Sequence, residues 1–170
     1  MRLYTFLNYY LSSIQQGIQS AHILGEIYNE ANSKRTTIDS FEGEGIVQEL
    51  RYNERDLMVF DWAENHKTMV VCNGGNNQNL RDLISFFKIV DNPYPWAAFY
   101  EDADSLDRAL TGVGIILPES IYDVTTEYDL YEGQRVKVFV RPDGRAIRRE
   151  GWNSYEYQLI DRIKSAPLAK

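Results

Sequence analysis

Apolar and polar residues alternate along this chain in blocks that predict strands and helices in turn. Residues 2–11 form an almost unbroken run of aromatic and aliphatic side chains, which predicts a buried strand. Ser12 then begins a helix that runs to about Ala31, because Ser12 and Gln15 have the spacing of a capping box. Residues 32–53 are the least regular part of the chain, and Asn32-Ser33 and the Gly43–Gly45 region are expected to be loop.

The first helix carries two stripes of side chains at three- to four-residue spacing. The apolar stripe, expected to face the core, consists of Ile14, Ile18, Ala21, Leu24 and Tyr28. The polar stripe consists of Gln15, Gln19, His22 and Glu26. Gly17 and Gly25 are unfavourable inside a helix, so we expect them to allow close contact with a neighbouring element.

The alternation continues to the end of the chain. The further predicted elements are a helix over 54–65, a strand over 67–72, a helix from Asn77 or Asn79 to about Ile89, strands over 96–100 and 112–117, a hairpin of 136–141 with 145–149, a final helix over 152–165 and a frayed tail over 166–170. This order predicts an α/β fold: a mixed four-stranded sheet with helices packed on it, plus a C-terminal β-hairpin and helix. We expect one domain over 1–170, with a core over 1–118 and an extension over 119–170.

The composition favours a cytoplasmic protein. The single cysteine, Cys72, excludes an internal disulfide. No stretch has the roughly 18–20 apolar residues of a membrane span, and the N-terminus lacks the apolar run of a signal peptide. We therefore expect no membrane association.

The charge distribution leaves the question of nucleic acid open. A net charge of −7 argues against a dedicated nucleic-acid binder, because phosphate contacts require basic side chains. A basic cluster near the C-terminus nevertheless predicts either a solvated hairpin or a local face for nucleic acid. Its members are Arg135, Lys137, Arg141, Arg145, Arg148 and Arg149.

The sequence gives no pattern for a nucleophilic cysteine, a metal site or a phosphate-binding loop. Cys72 lies within an apolar strand, which favours a buried, inert thiol. Two histidines and one cysteine, widely spaced, give no zinc pattern, and no Gly-Lys-Ser/Thr follows Gly74-Gly75 as a phosphate-binding loop requires. The acidic run at 101–107 lacks the spacing of an EF-hand. We therefore expect neither a metal nor a cofactor.

Four motifs occur in an informative order. They are Gln19-Ser20-Ala21-His22 in the first helix, the segment 61–71 (DWAENHKTMVV), the leucine- and phenylalanine-rich helix over 79–90, and Tyr100-Glu101-Asp102-Ala103 followed by 114–118 (GIILP). Together they resemble the type II peptidyl-tRNA hydrolase family over residues 2–118. The resemblance implies an ester-hydrolysing site with Asp102, Gln19 and His22 as catalytic residues, and tRNA or a nucleotide as the ligand.

The sequence departs from the family pattern at three positions. The family's catalytic lysine falls at Gln15, which supplies no cation to a phosphate or a developing oxyanion. The glycine of the loop motif is Asp104, and the loop threonine falls at Leu106.

The start of the first helix completes the candidate site. Free N–H groups at a helix N-terminus favour an anionic group, so we expect Ser12, Ser13, Gln15 and Glu101 to bind a ligand beside Asp102. The alternative is that Ser12 and Gln15 only cap the helix and that the polar stripe is a solvated face.

Two functions remain open. The first is a diverged relative that binds a nucleotide, RNA or a partner protein through the former active-site pocket, as the missing lysine and the acidic charge favour. The second is an active hydrolase that uses Asp102 and Gln19. The sequence does not decide whether the chain is an enzyme or whether it forms an oligomer.

Overall fold

The computed structural model describes residues 1–34, 36–42, 45–89, 92–149 and 154–169, and only the backbone of 36–42, 45–51, 105 and 106. Its strands are β1 (Arg2–Asn8), β2 (Thr36–Glu42), β3 (Gly45–Arg51), β4 (Met69–Gly75), β5 (Trp96–Tyr100), β6 (Leu110–Leu117), β7 (Thr125–Tyr131), β8 (Gln134–Val140) and β9 (Ala146–Ile147). Its helices are α1 (Ser13–Ser33), α2 (Glu54–Asp61), α3 (Asn77–Phe87), α4 (Ala103–Leu106), α5 (Glu119–Tyr122) and α6 (Ser154–Ser165), and a π-helical turn, Trp62–His66, extends α2.

The predicted mixed four-stranded sheet is confirmed. Its order is β4-β1-β6-β5, with β1 parallel to β4 and β6 antiparallel to both β1 and β5. Strands β4, β1 and β5 therefore run in the same direction. Their carboxyl ends lie at one edge of the sheet, called the upper edge below, and α1 and α3 start at this edge.

Helices cover both faces of this sheet. Each strand contributes to both buried clusters, because successive side chains of a strand point to opposite faces. Leu3 and Leu7 of β1 belong to the buried cluster of α1 and α2. Tyr4 and Phe6 belong to the cluster of α3, which also contains the buried residues of α6. None of the described helices combines the length and apolar character needed to cross a membrane.

Two predictions about the N-terminal half are wrong. The first strand ends at Asn8 rather than at residue 11, because the chain turns there and Leu11 donates its N–H to the Asn8 carbonyl at 3.2 Å. The expected loop at Asn32-Ser33 is wrong, and the stretch 32–53 contains two strands. Asn32 and Ser33 belong to α1, and β2 pairs with β3 in an antiparallel hairpin built from the β-branched and aromatic residues of this stretch. Gly45 begins β3, whereas the other two positions of the expected loop, 43 and 44, lie outside the described residues.

The C-terminal hairpin is present within a larger sheet. β8 pairs with β9 across a turn that contains Gly144, whose φ of +83° suits glycine. β8 also pairs along its whole length with β7, which the sequence analysis missed. Nearly all side chains of β7 are exposed, although Tyr128 and Leu130 alternate with Glu127 and Asp129 in the sequence, a strand signal that the sequence analysis overlooked.

The final helix begins at Ser154, and Trp152 lies outside the described residues. The tail that follows it is not frayed. Asn73 of β4 donates its N–H to the Pro167 carbonyl at 2.8 Å, and Ala169 donates to the Val71 carbonyl at 3.0 Å. With a bridge between Cys72 and Leu168, residues 167–169 cover the outer edge of β4.

Candidate functional site

The start of α1 is closed by the capping box that the sequence predicts. Ser12 has an extended backbone, and its hydroxyl accepts the Gln15 N–H at 3.4 Å. The Gln15 side-chain oxygen accepts the Ser12 N–H at 2.9 Å. Ser13, the first helical residue, is exposed. Ser12 and Gln15 thus satisfy backbone N–H groups of the helix start, and a ligand-binding role for these three residues stays a prediction.

Gln19, one turn beyond Gln15, bridges α1 to β6 and to the residue that follows β5. Its side chain is only 6% exposed. The Gln19 amide nitrogen donates to the Glu101 carboxylate at 2.5 Å, and the Thr111 hydroxyl donates to the Gln19 amide oxygen at 3.0 Å. We call these three residues the polar bridge. The sequence analysis missed Thr111, although a lone threonine in an otherwise apolar and glycine-bearing strand was a signal for a buried polar partner.

The buried face of α1 differs from the predicted one. The described side chains that α1 buries are Gln19, Ser20, Ile23, Ile27 and Ala31. Of the predicted apolar stripe, Leu24 alone is half-buried, and Ile14, Ile18, Ala21 and Tyr28 are exposed. The helix takes this rotation because Ile23 fits against β6, where Gly112 and Gly114 leave room for it.

The predicted role of the helix glycines is also wrong. A Cβ placed on Gly17 or Gly25 would meet nothing within 4 Å. A Cβ on Gly114 of β6 would lie 2.5 Å from Cγ2 of Ile23. The close approach between helix and sheet therefore depends on glycines of the strand, and those of α1 face open space.

Asp102 lies in an open cleft at the upper edge. The cleft has a volume of about 680 Å³, and its lining residues are Tyr100, Glu101, Asp102, Ala103, Asp104 and Arg108. We call it the loop cleft. Asp102 has an extended backbone just before the short helix α4, and its side chain is exposed. Three carboxylates against one guanidinium make the lining acidic, which favours a cationic or hydrogen-bond-donating group over a phosphate.

His22 lies beside β5 on the outward side of α1. Its imidazole stacks on the Phe99 ring with centroids 4.5 Å apart and planes 6° from parallel. This contact fixes the plane of the ring and leaves the side chain exposed. The structure thus places Gln19 and His22 on one helix next to β5. Gln19 contacts Glu101 of the loop cleft directly, and the catalytic roles of both residues stay predictions.

Large apolar side chains lie exposed around the start of α1. They are Tyr9, Tyr10, Ile14 and Ile18, each at least half exposed, with Ile14 the most exposed at 79%. We call them the helix-start patch. The rings of Tyr9 and Tyr10 meet edge to face at 6.1 Å. The sequence analysis assigned these residues to a buried strand and to the core, and so missed a surface that is unusual for a solvated helix.

The C-terminal basic cluster is largely ion-paired. Four of its six cations contact carboxylates: Lys137 with Asp161, Arg141 with Glu156, Arg145 with Asp143, and Arg148 with Asp129. Arg135 stacks over the Tyr128 ring at 4.3 Å. Arg149 is exposed and lines a cavity of about 540 Å³ together with Lys137 and Tyr157. A nucleic-acid role for this cluster stays a prediction, and the ion pairs reduce the positive charge it offers.

Cys72 is buried, as predicted, in the middle of β4. Burial raises the pKa of its thiol to about 11, so the thiol is protonated and a poor nucleophile at neutral pH. Among the residues that the structure describes, no three His, Cys, Asp or Glu side chains lie close enough together to hold a metal ion.

Comparison with known proteins identifies no family for this chain. No model of a known protein family matches the chain, and no curated protein matches it at a significant level. The resemblance to the type II peptidyl-tRNA hydrolases therefore stays a prediction that depends on the four sequence motifs.

Proposed function

We propose that this protein is a diverged peptidyl-tRNA hydrolase-like binding protein that holds a protein partner at the upper edge of its sheet. The observation that carries the proposal is the polar bridge. Both polar atoms of the Gln19 amide are engaged inside the protein, by Glu101 and by Thr111. A buried amide that is satisfied in this way locks α1 to the sheet and is poorly placed to orient a substrate.

The start of α1 supports binding over catalysis for a second reason. Gln15 occupies the position where the resemblance would place a catalytic cation, and its side-chain oxygen takes part in the capping box. A neutral amide in a helix cap provides no positive charge to stabilise an oxyanion.

The surroundings indicate the chemistry of the partner. The helix-start patch offers apolar contacts, and the loop cleft at the same edge of the sheet has an acidic lining. Exposed apolar side chains rimmed by polar groups are typical of protein interfaces. The surface therefore suits a protein segment that carries both apolar and basic side chains.

Partner capture with matched variants tests this proposal. The wild-type protein and the double variant Ile14→Asp/Ile18→Asp are each immobilised and incubated with a lysate of the cells that naturally contain the protein. Leu130→Asp is the control, because Leu130 is also an exposed apolar residue, 76% accessible, but lies on β7. We expect at least one protein to bind to the wild type and the control and to be lost from the double variant. Identical binding by all three would contradict the proposal.

The hydrolase alternative rests on one observation, that Asp102 lines the loop cleft next to the polar bridge. The purified protein is incubated with peptidyl-tRNA, and ester cleavage is measured for the wild type, for Asp102→Asn and for Asp104→Asn. We expect no cleavage above the background hydrolysis. Cleavage that is lost in Asp102→Asn and retained in Asp104→Asn would establish the hydrolase and overturn the binding-only proposal.

A tRNA or nucleotide ligand is tested separately. Fluorescence anisotropy with labelled tRNA is measured over a range of salt concentrations, because phosphate contacts make affinity fall steeply with salt. Arg135→Ala and Arg149→Ala probe the two members of the basic cluster that contact no carboxylate among the residues the structure describes. Tight, salt-sensitive binding that both substitutions weaken would show that the ligand binds at the C-terminal sheet rather than at the upper edge.

A further inference from the structure

The sheet β7-β8-β9 leaves a space beside β8 where β9 ends. β9 is two residues long and pairs only with Phe139 and Val140 of β8. Arg148 and Arg149 follow β9 directly. A cavity of about 540 Å³ lies here, and the described residues that line it are Tyr131, Val136, Lys137, Val138, Arg148, Arg149 and Tyr157. A cavity of this size suits a small organic molecule.

A second cavity of about 540 Å³ continues the first one toward α6. The described residues that line it are Lys137, Arg149, Tyr157, Gln158, Asp161 and Arg162. Lys137, Arg149 and Tyr157 line both cavities, so the two form one groove between β8 and α6. We call it the C-terminal groove.

Part of the groove lining is apolar and aromatic. Val136 and Val138 are two residues apart on β8 and therefore point to the same face of the sheet. Tyr157 is only 9% exposed, and its ring packs on the Phe139 ring with centroids 4.9 Å apart, so it forms a fixed wall. Tyr131, at the end of β7, is half exposed and free to pack on a bound ring. Valine side chains and tyrosine rings together favour a planar aromatic group.

Two cations of the lining are held in place by carboxylates. Lys137 donates to Asp161 of α6 at 2.6 Å, and Arg148 donates to Asp129 of β7 at 2.7 Å. Each ion pair ties the groove to a neighbouring element. The recorded contacts use one nitrogen of the Arg148 guanidinium, which has five N–H donors in all.

Two further guanidinium groups lack such a partner. Arg149 and Arg162 both line the second cavity, and neither contacts a carboxylate among the residues that the structure describes. The Arg162 guanidinium lies over the Phe86 ring at 4.6 Å, which positions it without neutralising its charge. A guanidinium binds a carboxylate or a phosphate through two parallel N–H groups, so both arginines are suited to an anionic head group.

We propose that the C-terminal groove binds a small aromatic anion, a planar ring that carries a carboxylate or a phosphate. The ring packs on the valines and tyrosines, and the anionic head accepts hydrogen bonds from Arg149 and its neighbouring cations. An aliphatic anion would pack on the valines but would gain no ring stacking from Tyr131. The groove lies on a different sheet from the helix-start patch, so this inference does not depend on the proposed protein partner.

The first test uses anilinonaphthalene sulfonate, a dye that combines aromatic rings with an anionic head and brightens in apolar cavities. We expect the wild type to bind it with a dissociation constant of about 10 to about 100 μM. Arg149→Gln should weaken this binding by about tenfold, because it removes an unpaired guanidinium. Arg135→Gln is the matched control. Arg135 also contacts no described carboxylate, but it is absent from the described lining of both cavities, so its loss should have no effect.

The dye also binds exposed apolar surfaces, so the helix-start patch needs its own control. The double variant Ile14→Asp/Ile18→Asp should keep the binding that depends on Arg149. Equal dye binding by Arg149→Gln and Arg135→Gln, or binding that is lost only in the double variant, would overturn the proposal.

Displacement of the dye tests the chemistry of the ligand. Adenosine monophosphate and indole acetate carry a ring and an anionic head, and at least one of them should displace the dye. Ribose phosphate and acetate carry the same head groups without an aromatic ring and should fail at about tenfold higher concentration. The stronger of the two ring-bearing anions shows whether the natural head group is a phosphate or a carboxylate. Failure of both, or equal displacement by the ring-free anions, would overturn the proposal.

A tyrosine pair tests the aromatic contact separately. Tyr131→Ala should weaken the ring-bearing anion several-fold, because it removes the exposed ring of the groove. Tyr128→Ala is the matched control, since Tyr128 is an exposed tyrosine of the same strand and is absent from the described lining of both cavities. Both tyrosines are exposed, so neither substitution should disturb the fold. Equal affinities of the two variants would exclude the aromatic contact on which the proposal depends.

Discussion

Helices α1 and α3 lie on opposite faces of the same sheet and bury opposite kinds of side chain. α3 buries Leu80, Leu83, Ile84, Phe86 and Phe87 and exposes its polar residues, as expected for a helix packed on a sheet. α1 buries Gln19 and Ser20 beside its aliphatic residues and exposes Ile14 and Ile18. Both helices start with a capping box at the upper edge, so they differ in their outward faces and not in how they begin.

The comparison distinguishes a helix that only stabilises the fold from one that also exposes large apolar side chains. A helix chosen only for stability would place Ile14 and Ile18 inward and a glutamine outward. α1 does the reverse, and the cost of burying Gln19 is offset by hydrogen bonds to Glu101 and Thr111. The arrangement keeps apolar side chains available at the surface while holding the helix in one rotation.

The largest expected difference comes from truncating one large aliphatic residue in each of the two helices. Leu80→Ala in α3 should lower the free energy of unfolding by about 3 kcal/mol, because Leu80 is fully buried. Ile14→Ala in α1 should change it by less than about 0.5 kcal/mol, because that side chain is exposed. Urea denaturation measures both. Equal losses would mean that the helix-start patch belongs to the core.

Replacing glycine by alanine should have opposite effects on stability in β6 and in α1. Gly114→Ala should destabilise the protein by about 2 kcal/mol, because the added methyl group would press on Ile23. Gly25→Ala should stabilise it by up to about 1 kcal/mol, since the helix position faces open space. Thermal unfolding of the two variants is the measurement. A loss of stability in Gly25→Ala would show that α1 packs against something on its outward face.

The polar bridge should contribute a smaller amount. Thr111→Val removes the hydroxyl that donates to the Gln19 oxygen, and we expect a loss of about 1 kcal/mol. A double-mutant cycle with Gln19→Leu measures the coupling between the two side chains. Because Thr111 and Gln19 are both buried, additive losses in the cycle would show that the hydrogen bond contributes nothing.

The smallest effect on stability concerns Cys72, on the α3 side of the sheet. Its pKa is raised from 9.0 to about 11 in the folded protein, so the neutral thiol is favoured by folding. This contribution is fully present below pH 9 and is lost as the pH rises toward 11. At pH 8, Ellman's reagent should react at least about 100-fold more slowly with folded than with urea-unfolded protein, in proportion to the thiolate fraction. Similar rates would show that β4 opens readily beneath the tail.

Periodicity predicted the sheet and α3 because their apolar positions are both buried and regular. β5 was predicted with its observed bounds, and α3 to within a few residues. The orientation of α1 was not predictable in this way. Its rotation depends on Gly112 and Gly114 of a strand that lies far along the sequence, and on a hydrogen bond from Thr111. Counting apolar residues within the helix cannot reveal either contact.

The candidate site was predicted in part. Gln19 and Glu101 were both named from motifs, and the structure joins them by a hydrogen bond. Thr111 and the helix-start patch were missed, because one is a polar residue within an apolar strand and the other consists of apolar residues that normally indicate a core. β7 was also missed, because the alternation of Tyr128 and Leu130 with Glu127 and Asp129 is short.

The tail at residues 167–169 gives the sheet a particular order of assembly. β4 can pair with β1 early, since both are complete once about half of the chain has emerged from the ribosome. Its outer edge, however, waits for Leu168, which is made almost a hundred residues after Cys72. Contacts between such distant residues form late in folding, because a long loop must close first. Newly made chains therefore pass through a stage with both sheet edges unpaired, and this is when the protein is most exposed to aggregation.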